Sequence, residues 1–159
     1  MKKYILLIVV VLWAGLIYYA SSRDSATSNR HSKYVITIVT TNAVRITNKL
    51  RITKIEINNN NISRITNKLN YPIRKLAHFS IYFILGILIY LTTISFGASK
   101  KSIYIIILIC FIYSLTDEYH QAFIVGRSSK FLDCLIDTSG SITGCLIELL
   151  IINKLENIR

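Results

Sequence analysis

Long apolar runs separated by short polar breaks dominate this chain. Tyr4 to Ala20 carries no charged residue over 17 positions. The 24 residues between Lys75 and Lys100 contain no Asp, Glu, Lys or Arg, and neither do the 15 between Lys101 and Asp117. Cys134 to Ile152 is apolar apart from Asp137 and Glu148. A helix needs roughly 20 residues to cross the hydrocarbon core, with a range of about 17–25. The pattern therefore predicts an all-α, polytopic membrane protein of one domain, residues 1–159, with four transmembrane helices near 4–20, 77–96, 103–119 and 134–152. Lys2 and Lys3 ahead of an apolar run also fit a cleaved signal peptide, but no A-x-A site follows, so the first run is read as a retained anchor.

Residues 21–75 form a long basic stretch of a different character, expected as a loop with amphipathic parts between helices one and two. Ser21 to Ser32 is rich in Ser and charge and reads as a linker. Ile36, Val39, Ala43, Ile46 and Leu50 then recur at three- and four-residue steps, the pattern of an amphipathic helix with Lys and Arg on its other face. Asn58 to Asn61 breaks it, and Ile62, Ile65 and Leu69 mark a second short helix. The Thr, Ile and Val content leaves strands as a minority alternative. The hexapeptide Arg45-Ile-Thr-Asn-Lys-Leu50 returns at Arg64-Ile-Thr-Asn-Lys-Leu69. A local duplication is the simple explanation; two equivalent basic helices lying on the membrane surface is the functional one. Pro72 suits the start of the second span, where its missing N–H is not needed.

Composition agrees with a lipid environment: 52% of residues are hydrophobic and the mean hydropathy is +0.47. A soluble domain of this length could not bury so much apolar side chain. The net charge of +11 resembles a nucleic-acid signature, but its placement argues otherwise. Residues 21–75 hold eleven Lys and Arg against only Asp24 and Glu56, on a segment tethered to the membrane at both ends. Membrane lipids, or an anionic wall polymer, are the expected partners, not nucleic acid. Cys110, Cys134 and Cys145 all fall in predicted spans and read as reduced, small apolar side chains without metal or disulfide spacing.

Four antiparallel crossings place the start of span two, the end of span three and the start of span four on one side. Those places hold most of the remaining polarity: Arg74, Lys75, His78 and Tyr82; then Asp117, Glu118, His120 and Gln121; then Arg127 in the loop; then Asp133 and Asp137. Arg74, His78 and Tyr82 step by four and share a face, as do Asp117 and Gln121. Asp133, Asp137, Gly140, Gly144 and Glu148 form one stripe. Within it, Gly140-x-x-x-Gly144 is a small-xxx-small pair that lets another helix come close. The stripe is expected to be the helix-contact face of span four. A charge at the centre of a membrane helix costs about 2.5–3.5 kcal/mol on the insertion scale, so such residues pair or serve a site.

Interhelical glue and headgroup anchoring explain any one of these residues as well as function does. The whole set, gathered on one side, is more than anchoring needs. Arg74, Lys75, His78, Tyr82, Asp117, Glu118, Gln121, Arg127, Asp133 and Asp137 are the candidate ligand-binding residues, with Gly140 and Gly144 for helix packing. Asp117 and Glu118 are the candidates for acid/base work, since a partly buried carboxylate beside another has a raised pKa. Glu148 lies near the opposite end and reads as structural. No ligand spacing points to a metal, no cofactor is implied, and no Ser or Cys nucleophile motif is present.

The motifs are similar to a known family. Arg-Lys-Leu-Ala-His-Phe at 74–79 with Tyr82 and Gly86, then Asp-Glu-Tyr-His-Gln-Ala-Phe at 117–123, then Gly126-Arg127, Asp133, Asp137, Gly140 and Gly144, resemble the VanZ-like family over about residues 71–150. Two positions depart from its pattern. Ile81 stands where an acidic residue often precedes the tyrosine, and Val125 where proline often precedes Gly-Arg. The resemblance implies a multi-pass protein of the bacterial cell membrane linked to glycopeptide-antibiotic resistance, teicoplanin above all. It implies no mechanism.

The leading expectation is a membrane factor, without a defined reaction, that alters the cell surface. Arg127, Arg74 and Lys75 would hold an anionic group such as a lipid-linked precursor or a carboxylate of a glycopeptide. The alternative is a membrane enzyme acting on a lipid-linked cell-wall precursor with Asp117 or Glu118 as acid/base. A transporter ranks last, because span two beyond Tyr82 offers almost no polar path. Charge counting gives six Lys and Arg on the N-terminal side and thirteen on the other, which would put the basic loop in the cytoplasm. Lys2-Lys3 before an apolar run, and a loop near the roughly 60 residues at which counting loses force, favour the N-terminus inside.

Overall fold

The structure is a computed structural model and describes residues 1–55 and 57–157. Glu56, the second acid of the basic stretch, and Arg159, one of the N-terminal-side cations, lie outside the described residues. The elements are α1 (Lys2–Ser21), α2 (Ser25–Lys49), α3 (Asn59–Ser95), a 3-10 turn (Lys100–Ser102), α4 (Ile103–Gln121) and α5 (Phe131–Glu156). Among the described residues there is no strand. Four helices are long and apolar enough to cross a membrane: α1, α3, α4 with its 3-10 turn, and α5.

The basic stretch is not a loop. Ser25 to Lys49 forms a 25-residue helix, and the residues from Asn59 on belong to α3. Asp24 starts α2 as its N-cap, accepting from the Thr27 amide at 2.6 Å. That bond holds the Asp24 carboxyl below the usual carboxylate range. The helix lies antiparallel to the first half of α3. Arg74 Nη1 donates to Asn29 Oδ1 at 2.8 Å, and the Thr37 and Thr66 hydroxyls meet at 3.3 Å. Of the apolar stripe expected on α2, only Ile36 lies on its packed face. Ile36, Thr40 and Val44 are buried, whereas Val39, Ala43, Ile46 and Leu50 are exposed. The opposing face of α3 supplies Ile62 and Thr66, so threonine methyls fill part of a contact that a hydrophobicity pattern does not mark.

Pro72 does not start a helix. It sits inside α3, thirteen residues after Asn59. Proline removes one backbone donor and crowds the carbonyl four residues back, yet α3 continues. Its contacts with α2 on both sides of Pro72, through Thr66 and Arg74, hold the two halves in line. At 1.5 Å per residue, 37 residues cover about 55 Å, well beyond an apolar core of ~30 Å. The excess is the N-terminal part that pairs with α2.

Within the bundle α3 and α5 are in backbone contact. A Cβ on Gly140 would overlap the carbonyl of Phe79, one on Gly144 the carbonyl of Phe83, and one on Gly86 the backbone of Ser141. Glycine is therefore required on both helices. Ser141 Oγ donates to the Tyr82 carbonyl at 3.1 Å and Cys145 Sγ to the Gly86 carbonyl at 3.4 Å, closing the seam. The helix α1 docks on α3 and α4: Trp13 Nε1 donates to the Ile81 carbonyl at 2.9 Å, Tyr113 OH to the Ala14 carbonyl at 2.7 Å, and Ile17 packs with Tyr82 and Leu85. At the opposite end Tyr90, Ile103, Ile106, Cys110 and Cys145 form an apolar cluster. All three cysteines are buried and free.

Candidate functional site

The antiparallel order brings the end of α1, the middle of α3, the end of α4 and the start of α5 to one face. Asp137 is fully buried there, and Asp117, Glu118 and Gln121 are nearly so. Burying a carboxylate is costly unless it is paired and hydrogen-bonded. Asp137 Oδ1 faces His78 Nδ1 at 3.3 Å, and its Oδ2 accepts from Ser114 Oγ at 3.4 Å. Asp117 Oδ2 accepts from Gln121 Nε2 at 3.0 Å. Glu118 Oε2 accepts from the Lys130 amide at 2.8 Å, which ties the end of α4 to the start of α5. Lys75 forms an ion pair with Asp133. Tyr82, also fully buried, sits beside this group and packs on Tyr113 with ring centroids 6.1 Å apart.

The cations are not all spent on these acids. Among the described residues Arg74 and Arg127 form no ion pair. Arg74 is turned to Asn29 instead. Arg127 sends Nη2 to the Ala20 carbonyl at 3.3 Å, while its Nε is buried without a hydrogen-bond partner. Burial, and then the neighbouring Arg74 charge, push the Arg127 pKa below its ordinary value. Gly126 has φ +72°, a conformation that favours glycine, and it turns the chain so that Arg127 comes inward. The Ser25 amide donates to the Val125 carbonyl at 3.3 Å and fastens this turn to the start of α2.

A family model described as VanZ/LLP1 matches residues 6–152. The chain belongs to the VanZ/LLP1 family. No curated protein and no solved structure matches it. The two departures noted in the sequence fall at defined places in this VanZ/LLP1 chain. Ile81 offers its carbonyl to Trp13, and Val125 is exposed with its carbonyl held by Ser25.

Of the ten residues singled out in the sequence, all lie in this polar end. His78, Asp137, Asp117 and Gln121 are joined directly to another member or to Ser114, and Lys75 to Asp133. Arg74, Tyr82, Glu118 and Arg127 sit among them without bonding one another. His120 points away from the acids: its ring stacks on Tyr18, centroids 4.6 Å apart, and Nε2 meets Ser22 Oγ at 3.1 Å. Glu148 is remote. Among the described residues no three His, Cys, Asp or Glu side chains are grouped to hold a metal.

Several residues of the site carried no signal in the sequence. A polar cavity of about 180 Å³ is lined by Arg74, Lys75, His78, Gln121, Arg127 and Asp133, and also by Ser25, Asn70 and Lys130. A water needs roughly 10–15 Å³, so this space admits a headgroup-sized polar molecule. Beside it runs a second, mostly apolar cavity of about 390 Å³ between α1, α2 and α3. Arg74, His78 and Arg127 line both. The contribution of α2 depends on its tertiary pairing with α3, which no local pattern encodes.

Proposed function

We propose that this VanZ/LLP1 chain is a membrane factor of the bacterial cell envelope that holds an anionic group in its polar end and thereby alters the cell surface and its susceptibility to glycopeptides such as teicoplanin. The observation that carries this reading is the pair of guanidinium groups, Arg74 and Arg127, that line one cavity without a carboxylate partner among the described residues. A planar guanidinium presents a fork of donors that matches a phosphate or carboxylate. Arg127, with a buried free donor and a second cation beside it, gains from an anion on both counts. Lys75 is neutralised by Asp133 and takes a supporting role. The buried acids then act as positioning residues: Asp117 and Glu118, at the end of α4, offset part of the Arg127 charge.

The site is proposed to face outward, with the N-terminus inside, so that it meets wall precursors on the outer leaflet. The test is an Arg127→Ala variant present in the membrane at the wild-type level, scored by teicoplanin susceptibility. Loss of the effect is expected; retained effect at equal level would sink the proposal.

A second reading rests on a separate observation. Asp117 Oδ1 and Glu118 Oε1 are buried without hydrogen-bond partners among the described residues, and Asp117 lines the apolar cavity next to Arg127. A carboxylate so placed could move a proton on a lipid-linked cell-wall precursor. Asp117→Asn keeps the shape and removes the charge. It would abolish turnover of such a precursor while leaving binding in place, whereas binding lost together with activity favours the first reading.

A further inference from the structure

The polar cavity and the apolar cavity meet at Arg74, His78 and Arg127, and that junction has the form of a headgroup site with a chain site attached. The apolar side is built by Ile17 of α1, Ile73, Ala77 and Ile81 of α3, and Val35 and Ile36 of α2. Ile17 and Ile36 are only 3% and 2% exposed and form the floor of the groove. Ala77 and Val35 are exposed and stand at its mouth. The polar side carries Arg74, Lys75, Arg127 and Lys130 against Asp133, with Asp117 on the apolar side. The excess is positive.

We infer that the ligand is a whole membrane lipid with an anionic headgroup, seated with its head between Arg74 and Arg127 and one chain in the groove, and that α2 is a wall of this site. The inference rests on the proposed binding of an anionic group and adds what that group is attached to. Charge complementarity selects the head, and the wall that the two adjacent cavities share at Arg74, His78 and Arg127 selects a chain-bearing molecule over a soluble anion. A volume of about 390 Å³ is within the usual range of roughly 300–1,000 Å³ for ligand pockets. The Asn29–Arg74 bond and the Ser25–Val125 bond set the spacing of α2 from the two arginines, so the helix fixes both the groove and the headgroup donors.

The experiment uses the full chain in phosphatidylcholine vesicles doped with phosphatidic acid that carries a diazirine on one acyl chain. After irradiation, labelled residues are mapped by mass spectrometry. Labelling of Ile36 and Ile17 is expected. It should fall at least tenfold in Ala77→Trp and in Val35→Trp, two exposed positions whose replacement fills the groove, and in Arg127→Ala. Phosphatidylcholine with the same diazirine should leave Ile36 unlabelled. Labelling confined to outward-facing Leu12 and Leu16, equal labelling of Ile36 by both lipids, or indifference to Ala77→Trp and Val35→Trp would overturn the inference. Saturable binding of dihexanoyl phosphatidic acid, too short to fill the groove, reads the headgroup site separately. If that binding persists while Ile36 stays unlabelled, the lipid-chain inference falls and the headgroup reading stands. Loss of both takes down both.

Discussion

The two ends of the bundle are built from the same three helices by opposite means. Away from the arginines, α3, α4 and α5 meet through Tyr90, Ile103, Ile106, Cys110 and Cys145, a cluster held by apolar contact. Its charged neighbours are the half-buried Glu148 and, at the rim, Lys100, which bonds Asn153 at 2.6 Å and pairs with Glu156. At the other end the same helices bury Asp137, Asp117, Glu118, Gln121 and Ser114. Packing does not require this, because the apolar end shows that these helices can close without a buried carboxylate. What differs is that the polar end adjoins two cavities and two arginines lacking acid partners among the described residues. Buried charge in a membrane protein is a functional-site hypothesis by default, and here the second end of the same bundle serves as the internal control.

The comparison breaks first if the helices are pushed apart. Gly140→Leu and Gly144→Leu each drive a side chain into a backbone carbonyl of α3. Loss of folded, monodisperse protein is expected from either on size-exclusion chromatography in detergent. Removing a buried charge comes next. Asp137→Ala takes the facing carboxylate from His78 and one bond from Ser114 and should destabilise by about 1–3 kcal/mol; a thermal-unfolding midpoint unchanged from wild type would contradict a paired, buried role. Ser114→Ala removes one hydroxyl from the same carboxylate and should cost roughly 0.5–1.5 kcal/mol by the same assay. Lys100→Ala, at the apolar end, breaks a pair that is more than one-third exposed on both sides. It should change stability by about 0–1 kcal/mol and leave any ligand effect untouched.

Four apolar runs were enough to find four crossing helices, because lipid imposes a length and a lack of charge that are visible one residue at a time. The polar end was legible for a similar reason. Steps of four put Arg74, His78 and Tyr82 on one face, and antiparallel crossings bring that face to Asp117 and Asp137. The stretch before α3 shows where such reasoning stops. Arg-Ile-Thr-Asn-Lys-Leu occurs twice, yet the first copy ends α2 and the second lies within α3. After the first copy the chain turns at Arg51, with φ 58°, and Asn48 captures it: Asn48 Nδ2 donates to the Ile55 carbonyl at 2.7 Å, and Oδ1 accepts from Thr53 at 2.8 Å. The second copy runs on into Asn70, Tyr71 and Pro72, and α2 alongside carries the helix through. An identical hexapeptide thus takes its fate from the residues C-terminal to it and from the helix packed on it. The apolar groove was hidden for the same reason, since Val35 and Ile36 face Ala77 and Ile81 only once α2 has folded back.

The most direct test of the central claim is ligand-induced stabilisation. The protein in phosphatidylcholine nanodiscs is unfolded thermally with and without dihexanoyl phosphatidic acid, beside Arg127→Ala. Ligand at 100 times its Kd should stabilise the wild type by about 2.7 kcal/mol, while Arg127→Ala and added dihexanoyl phosphatidylcholine give no shift. Equal stabilisation of the variant, or by the zwitterionic lipid, would mean that the polar end is helix glue and that the arginines hold no anion.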